Sequence, residues 1–141
     1  MIILDTNVLS ALMRTTPDVV VVNWLDRQPA DSVWVTSLTV FEAQFGLTLL
    51  PKGPKRVRLQ HAFDRVLSED LAHRVLDFDS VAAASAAQLA ADRQRAGRVA
   101  DLRDTLIAGI AQARRAAIAT RNTRHFDGLD VPVVDPWQAQ S

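Results

Sequence analysis

The 141-residue chain reads as an α/β protein, one doubly wound domain in which short parallel strands alternate with helices. Three features lead to that reading. Apolar, β-branched or small-residue runs of strand length recur at Met1–Leu4, Val33–Thr36, Arg74–Phe78 and Ala116–Thr120. The stretches between them are longer and carry helical period, the alternation expected of βαβ units. The first run also stops abruptly at a carboxylate, Asp5. In a parallel sheet that position looks into the crevice where ligands bind.

In chain order, strand one gives way at Thr6 or Asn7, either of which can cap a short helix from Val8 to Met13. Thr16-Pro17-Asp18 has an N-cap, a proline suited to the first helical position and an acid for the first turn, so a second helix runs to Leu25 or Arg27. Val33–Thr36 is the second strand, and Ser37 caps the helix that carries Glu42. Leu38, Phe41, Phe45 and Leu49 fall on one stripe of that helix, beside Glu42. Pro51-Lys52-Gly53-Pro54 ends it, and a basic amphipathic helix follows to about Leu67. Arg74–Phe78 is strand three. Asp79 caps an alanine-rich helix that continues to about Ala96 and is stopped by Gly97. Asp101 caps the next helix, with Asp104 in its first turn. Ala116–Thr120 is the fourth strand, and Val131–Val134 is a weak fifth before Asp135-Pro136-Trp137.

Composition narrows the function. One domain spanning 1–141 is the expected organisation, since a chain of this size buries about two-thirds of its unfolded surface. No apolar stretch approaches the roughly 20 residues of a bilayer span, and Asp5 interrupts the first apolar run before it resembles a secretion signal. The absence of cysteine excludes disulfides, thiol chemistry and thiolate zinc sites, and fits a cytoplasmic protein. Sixteen basic and 16 acidic residues cancel, which argues against a nucleic-acid coat protein. Lys52 and Lys55 are the only lysines; arginine supplies the remaining positive charge.

Each of the three singled-out acids has an ordinary explanation. Asp5 suits an Asx-turn, Asp104 the helix dipole, and Glu42 the margin of an apolar helix face. Yet carboxylates beside surfaces this apolar are costly to desolvate without a cation or donors, and three that converge would suit a divalent metal. A strand-one aspartate is also the nucleophile of haloacid-dehalogenase-type phosphatases, but those need a second aspartate two residues on, where this chain has Asn7.

Order and spacing favour the metal reading. Met1–Asn7, the Glu42 helix, the run from Asp104 to Ala111 and the segment Ala119-Thr120-Arg121-Asn122-Thr123-Arg124-His125-Phe126 together resemble the PIN-domain ribonucleases. Among these the chain is most similar to VapC-type toxins of toxin–antitoxin pairs, including the FitB-like branch. The resemblance spans essentially the whole chain. It implies a three-layer PIN-like fold, with a central parallel sheet of four to five strands and helices on both faces. It also implies that Asp5, Glu42 and Asp104 are catalytic metal ligands for Mg²⁺ or Mn²⁺, with Thr6 and Asn7 orienting Asp5. Asn122 stands where the family commonly has a fourth acid, and an amide can coordinate but brings no charge. Asp101 shares a helix face with Asp104, while Thr120, Arg121, Arg124 and His125 lie at the end of strand four, placed to support the acids or grip substrate phosphates. The activity implied is hydrolytic cleavage of RNA by the toxin of a type II pair. The implied partners are RNA, a VapB-like antitoxin encoded immediately upstream, a second copy of the chain, and operator DNA through the antitoxin. The alternative is a catalytically weak domain serving as a binding module in the repressor complex.

Overall fold

The computed structural model describes residues 1–138. Five parallel strands form one sheet in the order β3-β2-β1-β4-β5: β1 (Ile2–Leu4), β2 (Val33–Thr36), β3 (Val75–Leu76), β4 (Ala117–Ala119) and β5 (Val133–Val134). Six α-helices connect them: α1 (Thr6–Met13), α2 (Val19–Asp26), α3 (Ser37–Leu49), α4 (Pro54–Arg65), α5 (Ser80–Arg95) and α6 (Leu102–Arg114). The chain builds outward from β1 through β2 to β3, then returns to add β4 on β1's other edge. β1 is therefore the switch point of the sheet, where a crevice opens beyond the strand ends.

The strands' alternating side chains feed two cores. Leu4, Val33, Val35 and Ala119 pack with the buried faces of α1 to α4, including Val8, Leu9, Val21, Trp24, Leu47 and Phe63. Ile3, Leu76 and Ile118 pack on the opposite side with Ala82 of α5 and Ile107, Ala108, Ile110 and Ala111 of α6. This is a three-layer arrangement, as the sequence leads one to expect. Among the described residues no helix is long and apolar enough to cross a membrane.

Several local expectations need correction. Asp5 itself caps α1, ahead of Thr6 and Asn7; Asp18, not Thr16, caps α2; and Thr36, not Ser37, caps α3. In each instance an oxygen earlier or later than expected reaches the free amides of the first turn, which several side chains of one segment are able to satisfy. Ser37 instead accepts from the Phe78 amide at 3.3 Å. Strand three shrinks to Val75–Leu76. Most of the stripe of α3 is also turned outward: Phe41, Phe45 and Leu49 are exposed, while Leu38 packs against the second core, Thr39 and Leu47 are buried and Val40 and Ala43 pack against the first. That helix is apolar almost all round, so period alone selects no face.

Candidate active site

Strand register builds the site. Leu4 pairs with Ala119 across β1 and β4, which sets Asp5 opposite Thr120 just past both strand ends. Both residues are buried. The Thr120 hydroxyl donates to Asp5 Oδ2 at 2.8 Å, and the Thr6 amide donates to Asp5 Oδ1 at 2.8 Å. Asn7 Nδ2 donates to Thr120 Oγ1 at 3.2 Å and reaches Asp5 Oδ2 at 3.5 Å, while its Oδ1 accepts from the Arg121 amide at 3.1 Å. Asp5 is thus both a helix cap and a carboxylate locked in one orientation from two strands.

Asp104 enters from the first turn of α6, buried, with its amide capped by Asp101 Oδ1 at 3.2 Å. Asp101 performs the capping role expected of it. Burial pushes the Asp104 carboxyl up from the usual range, and the nearby Asp5 and Asp101 push it further; Arg103 and His125 oppose them. A carboxyl that is desolvated and crowded by other carboxylates holds its proton more tightly. His125 Nδ1 lies 2.9 Å from Asp104 Oδ2.

Glu42 approaches from α3 and accepts a hydrogen bond from the Thr6 hydroxyl, so Thr6 serves two acids, one through its amide and one through its side chain. Its other oxygen pairs with Arg103, whose Nη2 lies 3.8 Å from Asp104 Oδ1. Arg103 therefore bridges the two acids. Sequence reasoning missed it; its place next to Asp104 was a signal, but its partner 61 positions earlier is a product of packing. Among the described residues, no three acidic or histidine groups lie together as a ready-made ion site; Glu42 is turned onto Thr6 and Arg103 instead. The donors themselves suit a hard divalent cation, being carboxylate and hydroxyl oxygens without sulfur.

The remaining candidates are spread around the mouth. Asn122 is exposed, and its amide donates to Thr120 Oγ1 at 3.1 Å, so it touches the residue that holds Asp5 rather than an acid. The Arg121 guanidinium lies over the Trp137 ring, 4.5 Å from its centroid, and Trp137 Nε1 donates to Asp18 Oδ2 at 3.0 Å. Arg124 is exposed on the same loop, facing a cavity it shares with Asp101, Asp104 and His125.

Known proteins share this sequence pattern and fold. Residues 2–131 match the model of the PIN domain. The chain is 37% identical over 138 residues to VapC ribonuclease Y4jK of Sinorhizobium fredii, covering 98% of this chain and 99% of that protein. It is 36% identical over 137 residues to toxin FitB of Neisseria gonorrhoeae, covering 97% and 99%. A solved structure of FitAB bound to a DNA fragment superposes with a TM-score of 0.89 at 35% identity, over 100% of this chain and 99% of that one.

Proposed function

The chain belongs to the PIN-domain family, and on that premise we propose that it is the toxin of a type II toxin–antitoxin pair, a divalent-metal-dependent endoribonuclease. The observation that carries the reading is the buried pair Asp5 and Asp104 at the switch point, Asp5 held by Thr6, Asn7 and Thr120, with Glu42 joined to the one through Thr6 and to the other through Arg103. Asp5, Glu42 and Asp104 are the residues that would hold Mg²⁺ or Mn²⁺. When bound, such an ion supplies Lewis acidity toward water and the phosphodiester.

The chain's own residues do the rest. Thr120 and the Thr6 amide fix both oxygens of Asp5 in one orientation before any ligand arrives, which lowers the ordering cost of binding. Asp104 is kept dry by its burial, which strengthens its attraction for a cation. Arg124 and His125 stand beside it as donors for substrate phosphate. Arg103 offsets the charge of Glu42 and Asp104 and must leave Glu42 for that acid to serve as a ligand. Arg103→Gln should therefore lower the Mg²⁺ concentration giving half-maximal RNA cleavage, by about tenfold; an unchanged or higher requirement would show that Arg103 does not compete for the acids.

Asn122 follows Thr120 by two residues, and its backbone amide bonds the Thr120 hydroxyl that holds Asp5. Asn122→Asp adds a charge there, and the metal titration of cleavage should shift to lower concentration. Superimposed titrations would make Asn122 a loop residue and the site a three-acid one. Cleavage that needs Mg²⁺ or Mn²⁺ and stops with chelator also separates the ribonuclease from a pure binding module.

The partners proposed are an antitoxin encoded immediately upstream, a second copy of the chain, and operator DNA reached through the antitoxin. FitAB and other toxin–antitoxin complexes are among the structural relatives, some of them bound to DNA. The buried acids at the crevice invite a basic antitoxin side chain in competition with Arg103, and the outward aromatic pair Phe41–Phe45, with rings 5.9 Å apart, is a surface that association would cover. Co-expression with the upstream gene product should yield a stable complex with at least two copies of this chain, measured by light scattering. A monomer that never binds that product contradicts both assignments.

A further inference from the structure

Next to the acids lies a cavity of about 180 Å³ whose lining includes Arg93, Arg98, Arg124, His125, Asp101 and Asp104. Its charges are unevenly satisfied. Asp101 is occupied as a helix cap and Asp104 by Arg103 and His125. The side chains of Arg93, Arg98 and Arg124 enter no ion pair among the described residues. Arg93 is the unusual one. It is 7% exposed, its Nη1 donates to Thr105 Oγ1 at 3.2 Å, and its Nη2 is enclosed with no hydrogen-bond partner. A buried guanidinium with an idle donor and no counter-charge is costly, and such groups are kept where something pairs with them. The fold takes trouble to place its neighbour as well: Gly97 turns left-handed, at φ +70°, and Arg98 folds back so that its amide donates to the Arg93 carbonyl at 2.9 Å.

We propose that this cavity is a phosphate subsite, taking an RNA backbone phosphate adjacent to the one cleaved, with Arg93 as its floor and Arg98 and Arg124 at its mouth. The forked donors of three arginines match the several acceptor oxygens of a phosphodiester. Arg93 also anchors on Thr105, the residue after Asp104, so an anion held there sits one side chain from the acids. The assignment to RNA rests on the ribonuclease reading; the anion chemistry does not.

The test has two arms. Inorganic phosphate is titrated into the purified protein at low salt while the Arg93 Nε–Hε resonance is followed by NMR, and KM and kcat for RNA cleavage are measured in parallel. A saturable shift is expected, weakened about tenfold in Arg98→Ala and in Arg124→Ala, and the same variants should raise KM about tenfold with kcat little changed, as loss of uniform binding does. Arg93→Gln, read by KM alone, should raise it at least as much, and if that variant fails to fold the two mouth variants decide. No saturable shift, or one that neither variant weakens, overturns the site. Weaker phosphate binding with unchanged KM overturns the RNA assignment, since the cavity then serves a free anion. Protein that shows the phosphate response but cuts no RNA leaves the anion site standing and removes the ribonuclease reading instead.

Discussion

Asp5→Asn, Glu42→Gln and Asp104→Asn are each expected to cut RNA cleavage by more than about a hundredfold, because losing even an outer partner of a metal ligand costs roughly 10–100-fold and these are the proposed ligands themselves. Each substitution keeps the shape and hydrogen-bonding reach of the side chain. Asn at position 5 still caps α1, and the fold should survive, as thermal melting by circular dichroism will show. On the proposed reading the three acids hold one ion jointly, so the double variants should be little worse than the singles. Thr120→Val frees one oxygen of Asp5 and should fall in the outer-partner range. Undiminished cleavage by Asp5→Asn protein purified free of other nucleases would sink the assignment.

The second large effect concerns stability. Gly109 sits in the middle of α6, where α5 crosses so closely that an added Cβ would come within 2.6 Å of Ala86 Cβ and 2.8 Å of the Ala82 carbonyl oxygen. No rotation relieves contacts with backbone. Gly109→Ala gains about 1 kcal/mol of helix propensity but must push the two helices apart, which for overpacked cores costs roughly 1–3 kcal/mol and at times more. A net loss of stability is expected, read as a lower urea midpoint at unchanged slope, and a larger residue such as valine should lose more. Ala86→Gly in the same chain should recover part of it. A stabilised Gly109→Ala protein would mean that the helices are not so close. Since α6 also carries Asp104, the same displacement should weaken cleavage beyond what the lost stability explains.

The acids were legible in the sequence: Asp5 because a strand of apolar residues stops at it, Asp104 because Asp101 marks the start of its helix, and Glu42 because a glutamate among apolar helix residues is out of keeping with them. Gly109 was visible only as a glycine in a helix. The need for it lies in Ala82 and Ala86, more than 20 positions away, and nothing local to α6 states how near α5 passes.

What the sequence determined by itself is the succession of strands and helices, their approximate bounds, and the order in which three acids come along the chain. These depend on side-chain period, capping oxygens and turn residues, which act within a turn or two of the backbone. The tertiary structure alone decided that α3 turns Phe41 and Phe45 outward and Thr39 inward, since both faces are apolar and only the packing against β2 and α4 chooses between them. It also decided that Thr120 holds Asp5 across 115 positions, that Arg103 bridges Glu42 and Asp104, and that Arg93 is buried beside the acids with a donor unspent. Sheet register and helix contact bring such pairs together, and both are set by the whole core's fit rather than by any neighbour in sequence.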